Sequence, residues 1–178
     1  DRSRWALDAA WFYDPASFGY TTFGPGITYG HEDVDGSYPQ FFFSPSLRAR
    51  WSPTALVGLG GWVGLETRWI DGGDVSKSTP VYGIDASWAA GTRTSLTAGL
   101  ERGVSQSITL LNRNIETTTA SLSLSQELGN MRSATLDYHY ELADYGSGGQ
   151  GEAAGSRNEN FHQLGASVNQ KFHFDDFP

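Results

Sequence analysis

The segment from Ala55 to Trp69 alternates between two kinds of residue. One row of alternate positions is largely apolar and ends in an aromatic residue: Ala55, Val57, Leu59, Gly61, Val63, Leu65, Thr67 and Trp69. The row between these positions ends in Glu66 and Arg68. Because successive side chains of a β-strand point to opposite faces, this period predicts a strand with one apolar face. A sheet of such strands must bury that face in a protein core or in lipid.

The same alternation recurs along the chain and predicts about nine strands bounded by turn residues. Their approximate limits are Trp5–Tyr13, Gly19–Gly30, Tyr38–Trp51, Ala55–Trp69, Tyr82–Trp88, Leu96–Leu100, Ala120–Leu124, Ala134–Leu142 and Leu164–Phe174. Short turns, the first at Asp14–Ser17, alternate with long polar loops at His31–Ser37, Asp71–Pro80 and Gly146–Asn160. The predicted fold class is all-β, an antiparallel meander that forms a transmembrane β-barrel.

Two features favour lipid over a protein core as the partner of the apolar faces. Long and short connections are expected at opposite ends of the strands, as in outer-membrane barrels, whereas a soluble sandwich has no reason to sort its loops this way. Aromatic residues also collect near both strand ends, as they do at the two interfaces of a bilayer. They are Trp11, Tyr13, Trp51, Trp88 and Phe174 at the short-turn end, and Trp5, Tyr29, Phe41, Trp69 and Tyr82 at the other. The alternative is a soluble sheet whose aromatic residues fill its own core.

Composition excludes several classes of protein. The chain has 178 residues, a net charge of −8 and no cysteine. No stretch approaches the roughly 20 apolar residues of a membrane helix, and the acidic balance argues against a nucleic-acid partner. A mean hydropathy of −0.40 is compatible with a membrane barrel, because only alternate strand residues of a barrel face lipid. We expect a partial outer-membrane barrel over residues 1–174 and a short C-terminal tail at residues 175–178.

The predicted strand count is odd, whereas single-chain bacterial barrels usually have an even number of strands. If the last strand ends on the periplasmic side, counting back through the connections starts the first strand on the extracellular side. We therefore expect the chain to be the C-terminal part of a larger barrel, completed by upstream strands or by other subunits. Pro25, Pro39 and Pro45 fall within predicted strands, and we expect them at bulges, strand ends or an unpaired edge.

The polar face of the predicted sheet combines small residues with charged ones. The small residues are Gly58, Gly60, Gly64, Gly83, Gly99, Ser121, Ser123, Gly165 and Ser167. In a barrel this face lines the lumen, where charged side chains can set ion preference. The candidate pore-lining residues are Asp8, Arg48, Arg50, Glu66, Arg68, Asp85, Glu101, Asp137, Glu141 and Lys171. In a narrow barrel the same charges would instead pair into a network that fills the lumen.

The spacing of residues gives little support to a catalytic, calcium-binding, dinucleotide-binding or other metal-binding site. Asp137, His139 and Glu141 share a strand face, but same-face neighbours lie nearly 7 Å apart along a strand and no nucleophile motif accompanies them. Asp33–Gly36 lacks the later ligands of a calcium loop, and Gly58–Gly61 lies inside a predicted strand instead of a dinucleotide-binding turn. The four histidines show no metal-ligand spacing. We assign no catalytic, cofactor-binding or metal-binding residues, and we expect no enzymatic activity.

Three segments in the second half of the chain resemble the β-barrel porin-type outer-membrane proteins, some of which are encoded beside exopolysaccharide genes. The segments are Gly91–Leu100, Thr118–Ser125 and Asn160–Val168. The aromatic ending at Phe172 and Phe174 resembles the terminal strand that the outer-membrane insertion machinery reads. The resemblance implies a location in the outer membrane of a Gram-negative cell envelope, in contact with lipid and lipopolysaccharide. It implies no cofactor and no catalytic residue.

The function we expect is an outer-membrane channel, porin or export conduit that lets hydrophilic solutes diffuse through the lumen. The alternative is a barrel without transport activity, which serves as an anchor or adhesin by presenting extracellular loops or docking partner proteins. Both functions are compatible with the predicted fold.

Overall fold

The computed structural model describes residues 2–15, 19–70, 75–107, 114–129, 132–145 and 157–170, which contain nine β-strands and no helix. The strands are β1 (Arg2–Ala10), β2 (Thr21–Val34), β3 (Gln40–Thr54), β4 (Val57–Ile70), β5 (Val75–Ala90), β6 (Thr94–Gln106), β7 (Asn114–Gly129), β8 (Arg132–Tyr145) and β9 (Arg157–Gln170). They form one sheet in sequence order, and every pairing between neighbours is antiparallel. The predicted nine-stranded antiparallel meander is confirmed.

The sheet is open in the part of the chain that the structure describes. β1 pairs only with β2 and β9 pairs only with β8, so these two strands form the edges of the sheet. Closure into a barrel is therefore not part of the observed fold. None of the described residues forms a helix that is long and apolar enough to cross a membrane.

The strands reach further into the polar segments than the sequence predicts. The loops predicted at His31–Ser37, Asp71–Pro80 and Gly146–Asn160 are wrong in part, because strand residues occupy His31–Val34, Val75–Pro80 and Arg157–Asn160. Residues 71–74 and 146–156 lie outside the described ranges. The physical reason is that ladder hydrogen bonds join backbone groups, so polar residues extend a strand as long as its neighbour continues.

The first strand is shorter than the predicted Trp5–Tyr13, because β1 ends at Ala10. The β1–β2 ladder ends where Ala10 lies opposite Gly26, and continuing it would place Trp11 opposite Pro25. Pro25 has no N–H to donate, so only the Trp11 N–H to Pro25 carbonyl bond forms, at 3.1 Å. The chain meets β2 again at one isolated bridge, between Tyr13 and Phe23.

The other two prolines behave differently from each other. Pro39 lies immediately before β3, at a strand end as predicted. Pro45 lies inside β3, opposite Ile27 of β2, and the register to β4 is the same on both sides of it. The expectation of a bulge, a strand end or an unpaired edge is therefore wrong for Pro45. Its missing N–H coincides with an interruption of the β3–β4 pairing, between Phe43 and Ser46.

The connections keep part of the predicted asymmetry in length. Residues 55–56, 91–93 and 130–131 connect strands at one end of the sheet, which we call the short-turn end. Residues 35–39, 71–74, 107–113 and 146–156 connect them at the opposite end, the long-loop end. The first connection, residues 11–20, is an exception, because it lies at the short-turn end and is longer than the predicted Asp14–Ser17 turn. The predicted extension of the last strand to Phe174 lies outside the described residues.

Burial in this sheet is inverted relative to a soluble protein. On the apolar face Val63 is 60 % exposed and Trp88 is 52 % exposed, and no second layer covers them in the described ranges. On the polar face Glu32 is 0 % exposed and Arg68 is 1 % exposed. Charged residues are almost never fully buried in a protein interior unless they are paired. The best-covered region of the molecule therefore combines charged side chains with a few apolar ones, Val34, Phe42 and Val81, while the large apolar residues of the opposite face are mostly exposed.

Glycine allows a close backbone approach on the polar face of β4. Gly64→Ala is expected to lower the free energy of unfolding by about 1–3 kcal/mol, because the new Cβ would lie 2.6 Å from the carbonyl oxygen of Pro45. Gly103→Ala is the matched control, since a Cβ at that β6 position meets no atom within 4 Å. Urea unfolding followed by tryptophan fluorescence measures both variants. Equal stability of the two would contradict the close approach.

Candidate functional site

The strand register places the sequence-predicted charges on one face of the sheet. Arg48 lies opposite Trp62, and the same row continues through Gly83, Glu101 and further strands to Glu141. Directly opposed residues of a ladder share a face. By this rule the face includes every candidate that the structure describes: Asp8, Arg48, Arg50, Glu66, Arg68, Asp85, Glu101, Asp137 and Glu141. Lys171 lies outside the described residues.

Small residues on the same face make room for large neighbours. The Trp62 indole lies across Gly83, where a Cβ would collide with it. The Asp85 carboxylate lies over Gly60 in the same way. Neighbouring side chains therefore occupy the space above Gly60 and Gly83.

Arg68 is the centre of a buried cluster at the long-loop end of this face. Its Nε donates to Glu66 at 2.7 Å, and its Nη1 donates to Glu32 at 2.8 Å. Its Nη2 donates to the backbone carbonyl of Val104. The guanidinium lies over the Phe42 ring, 5.2 Å from the ring centroid. All three guanidinium nitrogens are thus engaged, which is the condition under which a buried arginine is tolerated.

We call Arg68 and its partners Glu32, Glu66, Phe42 and Val104 the Arg68 cluster. Further polar residues lie at the same end of the sheet. Arg2 of β1 forms an ion pair with Glu32, and Arg4 lies over the Phe42 ring at 4.9 Å. Gln106 of β6 is fully buried and donates from Nε2 to the Tyr38 carbonyl at 3.1 Å. The cluster therefore connects five strands, β1 to β4 and β6, across the polar face.

β5 and β6 separate towards the long-loop end, and this fork lets Arg68 of β4 reach the backbone of β6. Pairing between the two strands ends where Tyr82 lies opposite Arg102, although β6 continues to Gln106 and remains paired with β7. Beyond the fork, β6 approaches β2, which is not its neighbour in the sheet. The carbonyl of Val104 is satisfied by a side chain of β4, because β5 no longer pairs with β6 at that level.

A second, more exposed ion pair lies further along the polar face. Arg48 donates to both carboxylate oxygens of Asp8, at 2.8 and 2.5 Å, and Thr28 donates to the same carboxylate at 2.7 Å. The Arg48 and Asp8 side chains are 23 % and 49 % exposed. Bidentate geometry fixes the orientation of such a pair, but exposure to water limits its contribution to stability.

A cavity of about 340 Å³ lies on the polar face, bordered by both ion-pair systems. Its lining includes Arg4, Asp8, Arg48, Trp62, Glu66 and Glu101. Charges of both signs, hydroxyl groups and aromatic rings therefore meet in one space. Such a lining suits water and hydrophilic solutes better than apolar ligands, whose pockets are mostly hydrophobic.

Sequence reasoning missed several members of the Arg68 cluster. Glu32 was assigned to a loop, yet continuing the alternation from Thr28 through Gly30 places it on the polar face. The alternation of residues therefore predicts the face of Glu32, but the polar composition of residues 31–37 favours a loop. The contact between Arg68 and Val104 carries no sequence signal, because a backbone carbonyl is present at every residue.

The residues considered for other chemistries have ordinary structural partners. Asp137 Oδ1 accepts a hydrogen bond from the Ser123 hydroxyl at 2.6 Å. The side chains of His139 and Glu141 approach to 3.7 Å between Nε2 and Oε2. Asp33 belongs to β2, and Gly36 has a φ of 84° in the turn that follows. Within the ranges that the structure describes, no three acidic or histidine side chains form a group that could hold a metal ion.

The comparisons with known proteins add no family to this description, since no family model, curated protein or solved structure matches the chain. Fold and site together define an open all-β sheet whose polar face carries a buried cluster of charges. The resemblance to porin-type proteins stays an expectation from the residues.

Removal of Arg68 tests the stability of the buried cluster. Arg68→Ala is expected to lower the free energy of unfolding by about 3–5 kcal/mol, because Glu32 and Glu66 lose their shared counter-charge. Arg48→Ala, which breaks the exposed pair, is the control and should cost less than about 1 kcal/mol. Replacing the triad together, by Arg68→Met, Glu32→Gln and Glu66→Gln, should recover most of the loss. Urea unfolding measures all three variants, and an equal loss for the two alanine variants would contradict the assigned role of burial.

Proposed function

We propose that this sheet is part of the wall of a β-barrel in the outer membrane of a Gram-negative bacterium. In this proposal the apolar face contacts lipid and lipopolysaccharide, and the polar face lines a channel for hydrophilic solutes. The observation that carries the proposal is the inverted burial: Val63 and Trp88 are exposed on one face, while Glu32 and Arg68 are buried on the other. Barrels in membranes alternate in this sense, apolar outwards and polar inwards.

The spacing of aromatic residues supports a membrane-spanning orientation. Trp5, His31, Phe41 and Trp69 follow one another in a single register row near the long-loop end. Trp51 lies ten residues from Phe41 along β3 (51 − 41 = 10), near the short-turn end. Ten residues of strand span about 33 Å, or about 25 Å along the membrane normal at a tilt of about 40°. This length agrees with the apolar band of an outer-membrane barrel.

The chemistry of the polar face supports passive diffusion as the mechanism. Asp85 and Glu101 have no ion-pair partner among the described side chains, whereas Asp8 and Arg48 neutralise each other. With Asp137, Asp85 and Glu101 make three carboxylates without an ion pair, against two such arginines on this face, Arg4 and Arg50, and the small excess of negative charge favours cations over anions. The proposal involves no catalytic step and no cofactor. Delivery to the membrane would depend on the outer-membrane insertion machinery.

One observation favours a second candidate function. The Arg68 cluster fills the polar face at the long-loop end with buried side chains, which narrows any passage there. A barrel that is filled in this way would serve as an anchor or adhesin, presenting the connections of the long-loop end or docking partner proteins. The two functions differ in whether the assembled protein conducts ions.

Tryptophans on the two faces provide a direct test of the lipid-facing assignment. We expect brominated acyl chains to quench a variant that retains only Trp88, because Trp88 lies on the apolar face. A variant that retains only Trp62, which lies opposite Arg48 on the polar face, should escape this quenching and respond to aqueous acrylamide. The measurement is fluorescence in vesicles of brominated phosphatidylcholine. Equal quenching of the two variants by lipid would contradict the proposed orientation.

Conductance in planar bilayers distinguishes the channel from the anchor. The channel proposal expects discrete ohmic steps and a reversal potential in a KCl gradient that indicates mild cation preference. Asp85→Asn combined with Glu101→Gln should shift that potential towards anions, whereas Asp137→Asn, which removes a carboxylate bonded to Ser123, should shift it less. A silent protein that still shows the lipid quenching of Trp88 would support the anchor and contradict the channel.

A further inference from the structure

The cavity of about 340 Å³ on the polar face is bordered by strands that are distant from each other in the sheet. Arg4 belongs to β1 and Glu101 belongs to β6, with β2 to β5 between them in the sheet order, yet both residues line this one space. The sheet therefore curls around the cavity. Ligand pockets in proteins occupy about 300–1,000 Å³, so a volume near the lower end suits a small solute.

Two opposite charges of the lining are not engaged in ion pairs within the described part of the chain. Three other charged residues of the lining do form ion pairs, with each other or with Arg68: Asp8, Arg48 and Glu66. Arg4 and Glu101 have no such partner among the described side chains. The cavity thus offers one positive and one negative group to a ligand.

The Phe42 ring supports the positive group. The Arg4 guanidinium lies over this ring, 4.9 Å from its centroid. Phe42 itself is buried and borders the same cavity. A cation over a ring face is attracted by the π-electrons, so this contact does not require the N–H donors of the guanidinium. Arg4 therefore keeps these donors for a carboxylate, which a guanidinium can bind through two parallel hydrogen bonds.

The surroundings of the negative group suit a cation. Glu101 also borders a second, smaller cavity, whose lining includes Trp62 and Asp85. Trp62 lines both cavities, and Asp85, like Glu101, has no ion-pair partner among the side chains that the structure describes. Carboxylates and an indole ring both attract an ammonium group. The lining is therefore positive near Arg4 and negative near Glu101.

We infer that the cavity binds a small zwitterion with one carboxylate and one ammonium group, such as an α-amino acid. The carboxylate accepts hydrogen bonds from the Arg4 guanidinium, and the ammonium group donates to the Glu101 carboxylate. A simple anion would leave Glu101 unpaired, a simple cation would leave Arg4 unpaired, and a neutral solute would leave both unpaired. The inference rests on the proposed channel, because it names the class of hydrophilic solute that would pass through it.

The cavity also has room for an aliphatic side chain of the ligand. Val81 and Val104 are buried and belong to the lining. Gly103 lies in the same lining, and a Cβ at this position would meet no atom within 4 Å. Apolar contact with the two valines would stabilise a branched aliphatic group. L-leucine is therefore a suitable probe.

Competition binding tests the need for both charges of the ligand. Radiolabelled L-leucine is dialysed to equilibrium against the intact protein in detergent micelles at neutral pH. Isocaproate lacks the ammonium group of leucine and isoamylamine lacks its carboxylate, while both keep the branched chain. We expect saturable binding of leucine, and each competitor should displace it about 10- to 100-fold less well, because one charge-assisted hydrogen bond is lost. Absence of saturable binding, or equal displacement by either competitor, would overturn the inference.

Charge-removing variants assign each group of the ligand to one residue. Arg4→Gln should abolish the preference for leucine over isoamylamine, and Glu101→Gln should abolish the preference for leucine over isocaproate. Arg50→Gln is the matched control, since Arg50 lies on the same face but does not border this cavity. It should keep both preferences. Retention of both preferences by Arg4→Gln or by Glu101→Gln would contradict the proposed site.

A space-filling variant tests the location of the site without changing a charge. Gly103→Leu places a side chain in the open space of the lining and should weaken leucine binding more than ~10-fold. Unaltered binding would place leucine elsewhere and overturn the inference. Conductance is read separately from these measurements. A protein that conducts without preferring leucine would refute the zwitterion site and leave the channel intact, whereas a silent protein with both preferences would refute the channel and support the site.

Discussion

The structure depends on a single constraint, the register of the antiparallel ladders. Because side chains alternate between faces, a slip of one residue would exchange the apolar and polar faces of a strand. The ladder that sets Arg48 opposite Trp62 and Gly60 opposite Asp85 keeps the candidate pore-lining charges on one side of the sheet, whereas the Arg102–Glu116 ion pair lies on the other. The Arg68 cluster and the outward apolar rows both follow from this alignment. Long ladders with few register shifts make such a slip costly.

Burial of the Arg68 cluster illustrates a balance between desolvation and pairing. Moving a guanidinium and two carboxylates out of water costs several kcal/mol per ion, which good geometry offsets only in part. Here Glu32 and Glu66 accept from different nitrogens of Arg68, and the third nitrogen finds a backbone carbonyl. The cluster therefore contributes less to net stability than to geometry, because it holds the end of β6 over the polar face.

The alternation of residues predicts the strands and their two faces well, but it predicts the residues at which strands end poorly. In β4 the alternation from Val57 to Trp69 is strong enough to identify the strand and both its faces. At His31–Val34 the same period continues in polar residues, and composition alone suggests a loop. The end of β1 depends on Pro25, which lies on a different strand. Where a strand ends depends on residues distant in sequence, and so does the contact of Arg68 with Val104. Local sequence patterns carry no information about such partners.

The fork at Tyr82 and Arg102 also has a mechanical consequence. Between β4 and β5 and between β6 and β7 the pairing extends along most of the strands, so a load applied across them is shared by many backbone bonds in parallel. At the fork, β5 and β6 are not paired on the long-loop side of Tyr82 and Arg102. There, side-chain contacts such as those of Arg68 with Val104 and of Gln106 with Tyr38 connect β6 to the preceding part of the chain. Separation under tension would therefore begin there and proceed one ladder bond at a time, as a zipper opens, towards the turn at residues 91–93.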